Sequence, residues 1–440
     1  LREGLQAALA FFLLDVHRSV KQLKSYSKGM NAMDDWKQRI IQIMEEHAPL
    51  WHKTSRTIWS NPELGHEEYA ASELLASIAE QFGFQVERGT AGLATAFTAV
   101  YRSAKPGPTI GYLAEYDALP GLGHACGHNL IGVMSLAAAL SLREAADELG
   151  GTIMLFGTPA EETSGGKVTM AEQGIFDVLD VALMAHPYHS YERSGKSLAI
   201  EAIQFDFFGK PAHAASQPHM GVNALDAVIQ TFVNINALRQ HVTKDVRIHG
   251  IITLGGEAAN IVPAHAQAQF YVRTASKDTL MELSEKVKNC AKAASLATGC
   301  RLESAPYELG YDNLVTNETL SSLFTANLIE LGVPRDDILH GLDHGSLDMG
   351  NVSHIVPAIH PYIGVPNCPY GVHTAEFRDT AGGPDGEAAL LMGAKALACT
   401  GIDLLSAPQH LAAIKQEFMS NQNGRRTSGQ LPSWNEVSIG

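Results

Sequence analysis

Cys126 and His128 stand one glycine apart in the stretch Glu115–Asn129, EYDALPGLGHACGHN. A thiolate and an imidazole at that spacing can meet one ion from an extended loop, because a glycine lets the backbone bend tightly. Both donors suit Zn²⁺ and other late first-row metals. The pair also fits a buried structural cysteine beside a surface histidine. Glu161 and Glu162 follow Pro159-Ala160. Adjacent carboxylates in a low-dielectric cleft repel unless a cation compensates. The useful division of labour is Glu162 as metal ligand and Glu161 as the base that moves protons. Alone, the two glutamates also fit a solvated helix start. His186, in Ala185-His186-Pro187, and His373, in Gly371-Val372-His373-Thr374, complete the candidate donors.

Position joins them. The stretches bearing Cys126 and His128, Glu161 and Glu162, and His186 follow three apolar runs, 109–114, 152–157 and 181–185. Such runs read as buried strands, and open α/β sheets place ligand sites beyond their strand ends. Convergence on one sheet edge therefore outweighs a separate structural explanation for each residue. Cys126, His128, Glu162, His186 and His373 are too many for one closed tetrahedral site and fit two ions with one bridging donor. A water between ions ~3.5–4 Å apart is acidified enough to act as hydroxide near neutral pH. The expected chemistry is hydrolysis of a C–N bond. Zn²⁺, Mn²⁺, Co²⁺ and Ni²⁺ all remain open, since affinity order does not choose among them.

The elements around these residues alternate. Helices are expected over 35–58, 67–83 and 129–148, with strands around 94–101, 109–114, 152–157 and 181–185. Alternation of this kind predicts an α/β fold with a mostly parallel sheet covered by helices. From about 196 the order becomes β-α-β-β-α-β, with strands 199–208, 247–254, 265–274 and near 302–306 and helices 221–241 and 277–297. That set makes a small α+β domain. The chain is expected to divide into a leader, 1–33; a catalytic domain, 34–195; an inserted lid or dimerisation domain, 196–308; the rest of the catalytic domain, 309–420; and a loose tail, 421–440.

Bulk properties narrow the class. The 440 residues are 45% hydrophobic and 18% charged, which fits folded domains. A net charge of −15 repels phosphate backbones and argues against a nucleic-acid partner. The five widely spaced cysteines do not suggest a disulfide framework, so a reducing, cytoplasmic setting is expected. The apolar run Leu5–Leu14 is too short to span a bilayer and is followed by charged residues rather than a cleavage site. No membrane partner is expected. Residues 1–29 read as a leader or a translation-start artefact, with Met30 or Met33 as the start.

In order, NPELGHEE, EYDALPG, HACGHN, PAEE, AHP and GVHT resemble the two-metal peptidase family of aminoacylases, carboxypeptidase G and indole-acetyl-amino-acid hydrolases. The longer string EYDALPGLGHACGHN is most similar to the β-alanyl-lysine-dipeptidase-like branch. The resemblance spans most of residues 34–405. It implies a catalytic α/β domain with an inserted lid that forms a homodimer, and it matches Cys126, His128, Glu162, His186 and His373 to two-metal ligands and Glu161 to the general acid/base. It further implies that Asp117 orients a ligand from behind. His213, in Gly209-Lys210-Pro211-Ala212-His213, would reach a neighbouring active site and stabilise an oxyanion. Asn260 and Arg273 would hold a substrate carboxylate. The chain departs from many relatives at Asn129, where an aspartate is usual; this would remove a charge near the metals. It departs also at Glu115, where Asp or His is usual. Ser346 and Asn351 are candidates for a pocket wall only.

The leading reading is an amidohydrolase of N-acyl amino acids or dipeptides with a free carboxylate, a small-molecule substrate. The alternative is a hydrolytic deaminase acting on an amidine or activated aromatic amine, which Asn129 and the unplaced pocket walls leave open. A non-enzymatic scaffold is the third, and the intact Glu161 argues against it.

Overall fold

A computed structural model describes residues 32–341 and 345–428. Most of the expected leader and the end of the expected tail lie outside the described residues. The chain divides into two compact units. The first comprises Leu1–Lys196, Val315–Asp343 and Asn351–Gly440, and the second Ser197–Leu314 with His344–Gly350.

In the first unit, the runs TIGYLA and TIMLFG form the strands Thr109–Ala114 and Thr152–Gly157, paired in parallel. Both are almost wholly buried, as continuous apolar strands covered on two faces must be. The six-stranded sheet runs in the order Gln85–Arg88, Phe97–Arg102, Thr152–Gly157, Thr109–Ala114, Val181–Leu183, Ala358–Ile359. Its first two pairings are antiparallel and the other three parallel.

The helix His128–Ser141 is buried at every residue, which explains its Leu- and Ala-rich sequence without a polar stripe. The helix Pro384–Ser406 packs against it. That second helix is long and apolar enough to cross a membrane, but most of it is buried inside the protein.

Several expected elements differ. The single helix over 35–58 is two, Ala32–Glu46 and Ala48–Ser60, parted at His47 with Pro49 in the second helix's first turn. Proline lacks the amide that a continuous helix would need there. The helix over 129–148 is likewise divided, at Leu142. The strand expected to reach 185 ends at Leu183. His186–Tyr188 instead joins a separate four-stranded sheet, paired in parallel with Tyr362–Gly364. Residues 421–428, expected to be loose, continue the helix Pro408–Ser428. Ile414 of that helix is fully buried, and Glu417 accepts hydrogen bonds from the Glu318 and Thr319 amides at 2.7 and 2.9 Å. Burial of Ile414 and the bonds by which Glu417 caps the helix Glu318–Glu330 thus anchor a helix whose own sequence lacks a clear apolar period.

The second unit is a four-stranded antiparallel sheet in the order Arg301–Pro306, Ala199–Phe208, His265–Thr274, Arg247–Leu254. Strict alternation along His265–Thr274 turns Ala266, Ala268, Phe270 and Val272 inward. They pack with the helices Ala224–Leu238 and Lys277–Thr298.

Two glycines set the approach of the helix His128–Ser141 to its surroundings. Gly127 precedes it with φ +80°, and a Cβ there would lie 2.6 Å from Pro187. At Gly132 a Cβ would lie 2.8 Å from the Glu115 carbonyl oxygen, so only glycine lets helix and loop touch. Gly132→Ala is expected to cost about 1–3 kcal/mol through this overpacking, read as a lower denaturant midpoint.

Candidate active site

The ligand loops emerge where the parallel strands end. Thr109–Ala114 runs directly into Glu115, Tyr116 and Asp117, all buried. Thr152–Gly157 runs into Pro159–Glu162, where Ala160 adopts φ +61° and is fully buried. A non-glycine residue in that region is strained and must be held by its neighbours. His373 also has a positive φ, +65°, and its amide donates to the Ala125 carbonyl at 2.8 Å. That bond ties the GVHT loop to the loop carrying Cys126.

The five candidate ligands of the first unit converge. Donor atoms of Cys126, His128 and His186 lie within 4.8 Å of one another. So do those of Cys126, Glu162 and His373, and those of His128, Glu161 and Glu162. Cys126, His128 and Glu162 each belong to two of these triads, so the three groups overlap at every member that would be shared. Cys126 Sγ is 3.4 Å from His186 Nε2, and Glu162 Oε1 is 3.1 Å from His373 Nε2.

The imidazoles are oriented by their outer nitrogens. His128 Nδ1 donates to Asp117 Oδ1 at 2.8 Å, and His186 Nδ1 to the Pro187 carbonyl at 2.7 Å. Each bond leaves Nε2 with its lone pair turned toward the cluster, the form that ligates a metal. Asp117 Oδ2 accepts from the Glu162 amide at 2.9 Å, so one carboxylate orients both an imidazole and the adjacent carboxylate's backbone.

Electrostatics fit a cation at this place. Burial pushes the Cys126 thiol well above its ordinary range, so thiolate character there calls for a nearby positive charge. Burial drives His186 down to about 4, which keeps its imidazole neutral. Burial also lowers His128, but the charges of Asp117 and Cys126 outweigh it and hold that ring well above its usual value. A divalent cation answers the same demand and leaves the imidazole free to ligate. Burial raises Glu162, yet the bond from His373 and the charges of His128 and His373 hold it below the usual carboxylate range. His128 Nε2 and Glu115 Oε2 are buried 3.4 Å apart without a well-formed hydrogen bond, and Glu162 Oε1 has the His373 ring 3.1 Å away as its neighbour. With the Cys126 sulfur, 3.4 Å from His186 Nε2, they make a donor set of sulfur, nitrogen and oxygen suited to late first-row ions.

The candidates of the second unit are separate observations. His213 is exposed, and its Nδ1 accepts from the amides of Ala215 and Ser216 at 3.2 Å each. The proton is therefore on Nε2, which presents an outward N–H. The Asn260 carbonyl accepts from the Ala214 amide, which holds its loop beside His213. Arg273 donates to Ser346 Oγ at 3.2 Å, lies over the Tyr271 ring, and has a buried Nε without a partner.

The pattern of the whole chain has known counterparts. Residues 198–298 match the model of the peptidase dimerisation domain of M20 peptidases. The chain is 38% identical over 402 residues to the Xaa-Arg dipeptidase of Mus musculus, covering 87% of this chain and 92% of that enzyme. The chain belongs to the M20 peptidase family. As an M20 member it is a metal-dependent hydrolase of C–N bonds. It is also 27% identical over 329 residues to the N-acetyl-L-cysteine deacetylase of Bacillus subtilis, covering 66% of this chain and 77% of that one. Its fold matches the crystal structure of a dinuclear metal binding peptidase of the M20 family, also from Bacillus subtilis. That match has a TM-score of 0.64 at 19% identity and covers 82% of this chain and 99% of that one.

Three residues near the M20 site have buried partners that the sequence did not mark. Asn129 is fully buried, and its Nδ2 donates to Ser55 Oγ at 2.9 Å and to the Ala381 carbonyl at 3.4 Å. Lys167 is fully buried and bonds Glu115 Oε1 at 2.6 Å, while Glu115 Oε2 lies 3.4 Å from His128 Nε2. A lysine at a helix start reads as solvated, so no sequence signal marked it. Glu68 is also fully buried, although nothing in NPELGHEE sets it apart from the glutamate beside it.

Asp117→Asn leaves His128 less firmly oriented and weakens an acceptor that serves two donors. Affinity for divalent ions should fall about 10–100-fold, measured by competition with a chromophoric chelator.

Proposed function

We propose that this M20 enzyme hydrolyses dipeptides or N-acyl amino acids bearing a free carboxylate, with Glu161 as general acid/base. The observation that carries the reading is the pair of donor triads sharing Cys126, with Glu161 in a third cluster with His128 and Glu162. Cys126, His128, Glu162, His186 and His373 would hold two divalent ions. When bound, the ions supply the Lewis acidity that acidifies water and polarises a carbonyl.

The chain's own residues do the rest. Glu161 takes a proton from the attacking water and returns it to the leaving nitrogen, so the C–N bond breaks as a C–O bond forms. Asp117 keeps His128 in its ligating tautomer. His213 offers an outward Nε2–H of the kind that stabilises a developing oxyanion. Arg273 and Asn260 offer donors for the substrate carboxylate. The relatives named Xaa-Arg dipeptidase make dipeptides with a C-terminal arginine the first panel to assay. The amine-releasing alternative rests on Asn129 and on pocket walls the sequence does not place; of these, the Asn129 side-chain nitrogen is taken by Ser55 and the Ala381 carbonyl.

We further propose a homodimer through the second unit, with His213 serving the neighbouring copy. Arg247–Leu254 is an edge strand whose Ile251 is 63% and Ile252 44% exposed. Ile229 and Val233 on the helix Ala224–Leu238 are exposed as well. An apolar edge of this kind is a liability unless another chain pairs with it. The five cysteines are all free, which supports a reducing, cytoplasmic setting.

Glu161→Gln should lower kcat about 10²–10⁴-fold with metal content unchanged by elemental analysis; full turnover in that variant would end the base assignment. Ile251→Asp with Ile252→Asp should shift sedimentation from dimer to monomer and take activity with it. A fully active monomer would remove His213 from the reaction.

A further inference from the structure

Glu68 is the last residue of NPELGHEE and the cap residue of the helix Tyr69–Gln81. An acidic side chain there ordinarily serves the amides of its own helix. Here Glu63 does so instead, accepting from Ala70 at 3.0 Å and Ala71 at 2.9 Å. Glu68 turns the other way, into the protein, and is fully buried. Its Oε1 accepts from the Ala160 amide at 2.7 Å and its Oε2 from Thr95 Oγ1 at 2.8 Å.

Ala160 is the strained residue before Glu161, with φ +61°. The amide on the other side of Glu161, that of Glu162, is held by Asp117 at 2.9 Å. Two buried carboxylates from separate parts of the chain thus grip the backbone on both sides of Glu161. The rest of the motif presses on the same places. The Glu63 carbonyl accepts from the Ala118 amide at 2.8 Å, beside Asp117. His66 Nε2 is 2.5 Å from Ser164 Oγ, and a Cβ on Gly65 would lie 2.4 Å from Thr163 Oγ1.

We infer that residues 63–68 brace the turn that carries the general acid/base, and that Glu68 is its positioning residue, fixing the Ala160 amide and so the direction of Glu161. This rests on the reading of Glu161 as acid/base. Glu68 touches no reacting atom. It keeps the turn in a backbone conformation that alanine does not favour, so Glu161 stays beside His128 and Glu162 without reorganisation during turnover.

The test separates geometry from charge in the metal-reconstituted full chain. Glu68→Asp keeps the charge but is one methylene too short for the Ala160 amide. Glu68→Gln keeps the reach, with its carbonyl toward Ala160 and its amide toward Thr95. With kcat taken per folded, metal-loaded molecule, Glu68→Asp should lose about 10–100-fold with KM within about twofold and metal content unchanged. Glu68→Gln should stay within about threefold of the parent. On a Glu161→Gln background, Glu68→Asp should cost nothing more, because there is no longer a base to aim. The brace is overturned if Glu68→Asp turns over like the parent, if Glu68→Gln falls as far as Glu68→Asp, or if the two losses multiply. An active Glu161→Gln variant would instead overturn the acid/base reading itself.

Discussion

The first unit is organised around buried negative charge that only a cation can settle. Glu115, Asp117 and Glu162, with the thiol of Cys126, lie with little or no access to water. Each would be costly to bury alone. Lys167 compensates one side of the group through Glu115, and the histidines approach from the others. The donor atoms His128 Nε2 and Glu162 Oε1, 3.9 Å apart, with His373 beside the second, are ones a metal would use. Stability and catalysis are therefore coupled here: the groups that make the cluster chemically useful are the groups least tolerable without a cation.

Holding such a cluster requires close backbone approaches. Gly127 and Gly132 bring the helix His128–Ser141 against Pro187 and the Glu115 carbonyl. Ala160 and His373 accept left-handed conformations that few side chains favour. Ala160 and His373 are each held by a bond to an element distant in the chain, Glu68 and the Ala125 carbonyl respectively. The buried helices His128–Ser141 and Pro384–Ser406 supply the rigid backing. The second unit follows a different logic, with one buried sheet face and an edge strand that leaves Ile251 and Ile252 exposed.

Much of this was legible from local pattern. Apolar runs such as TIGYLA and TIMLFG declared their strands to the residue, because burial on both faces leaves no room for polar interruptions. The donors were legible because they follow those runs, and strand ends are where an α/β sheet opens to ligands. Other features were not. Lys167 and Glu68 carry charge, and a charged side chain reads as solvated until its burial and partners are seen. Asn129 adjoins His128 in sequence, but adjacent residues on a helix point about 100° apart, and its amide nitrogen meets Ser55, a partner no local pattern marks.

The linear sequence by itself determined the chemical inventory: which residues can ligate, which can move a proton, and which stretches must be buried to bring them to one edge. It did so because residue type and apolar period are local properties. Tertiary structure alone decided that Cys126 is common to two donor triads, that Asp117 serves His128 and the Glu162 amide together, and that Glu68 reaches Ala160. Those relations join atoms from segments tens of residues apart, and distance between such segments is a property of packing that no local pattern encodes.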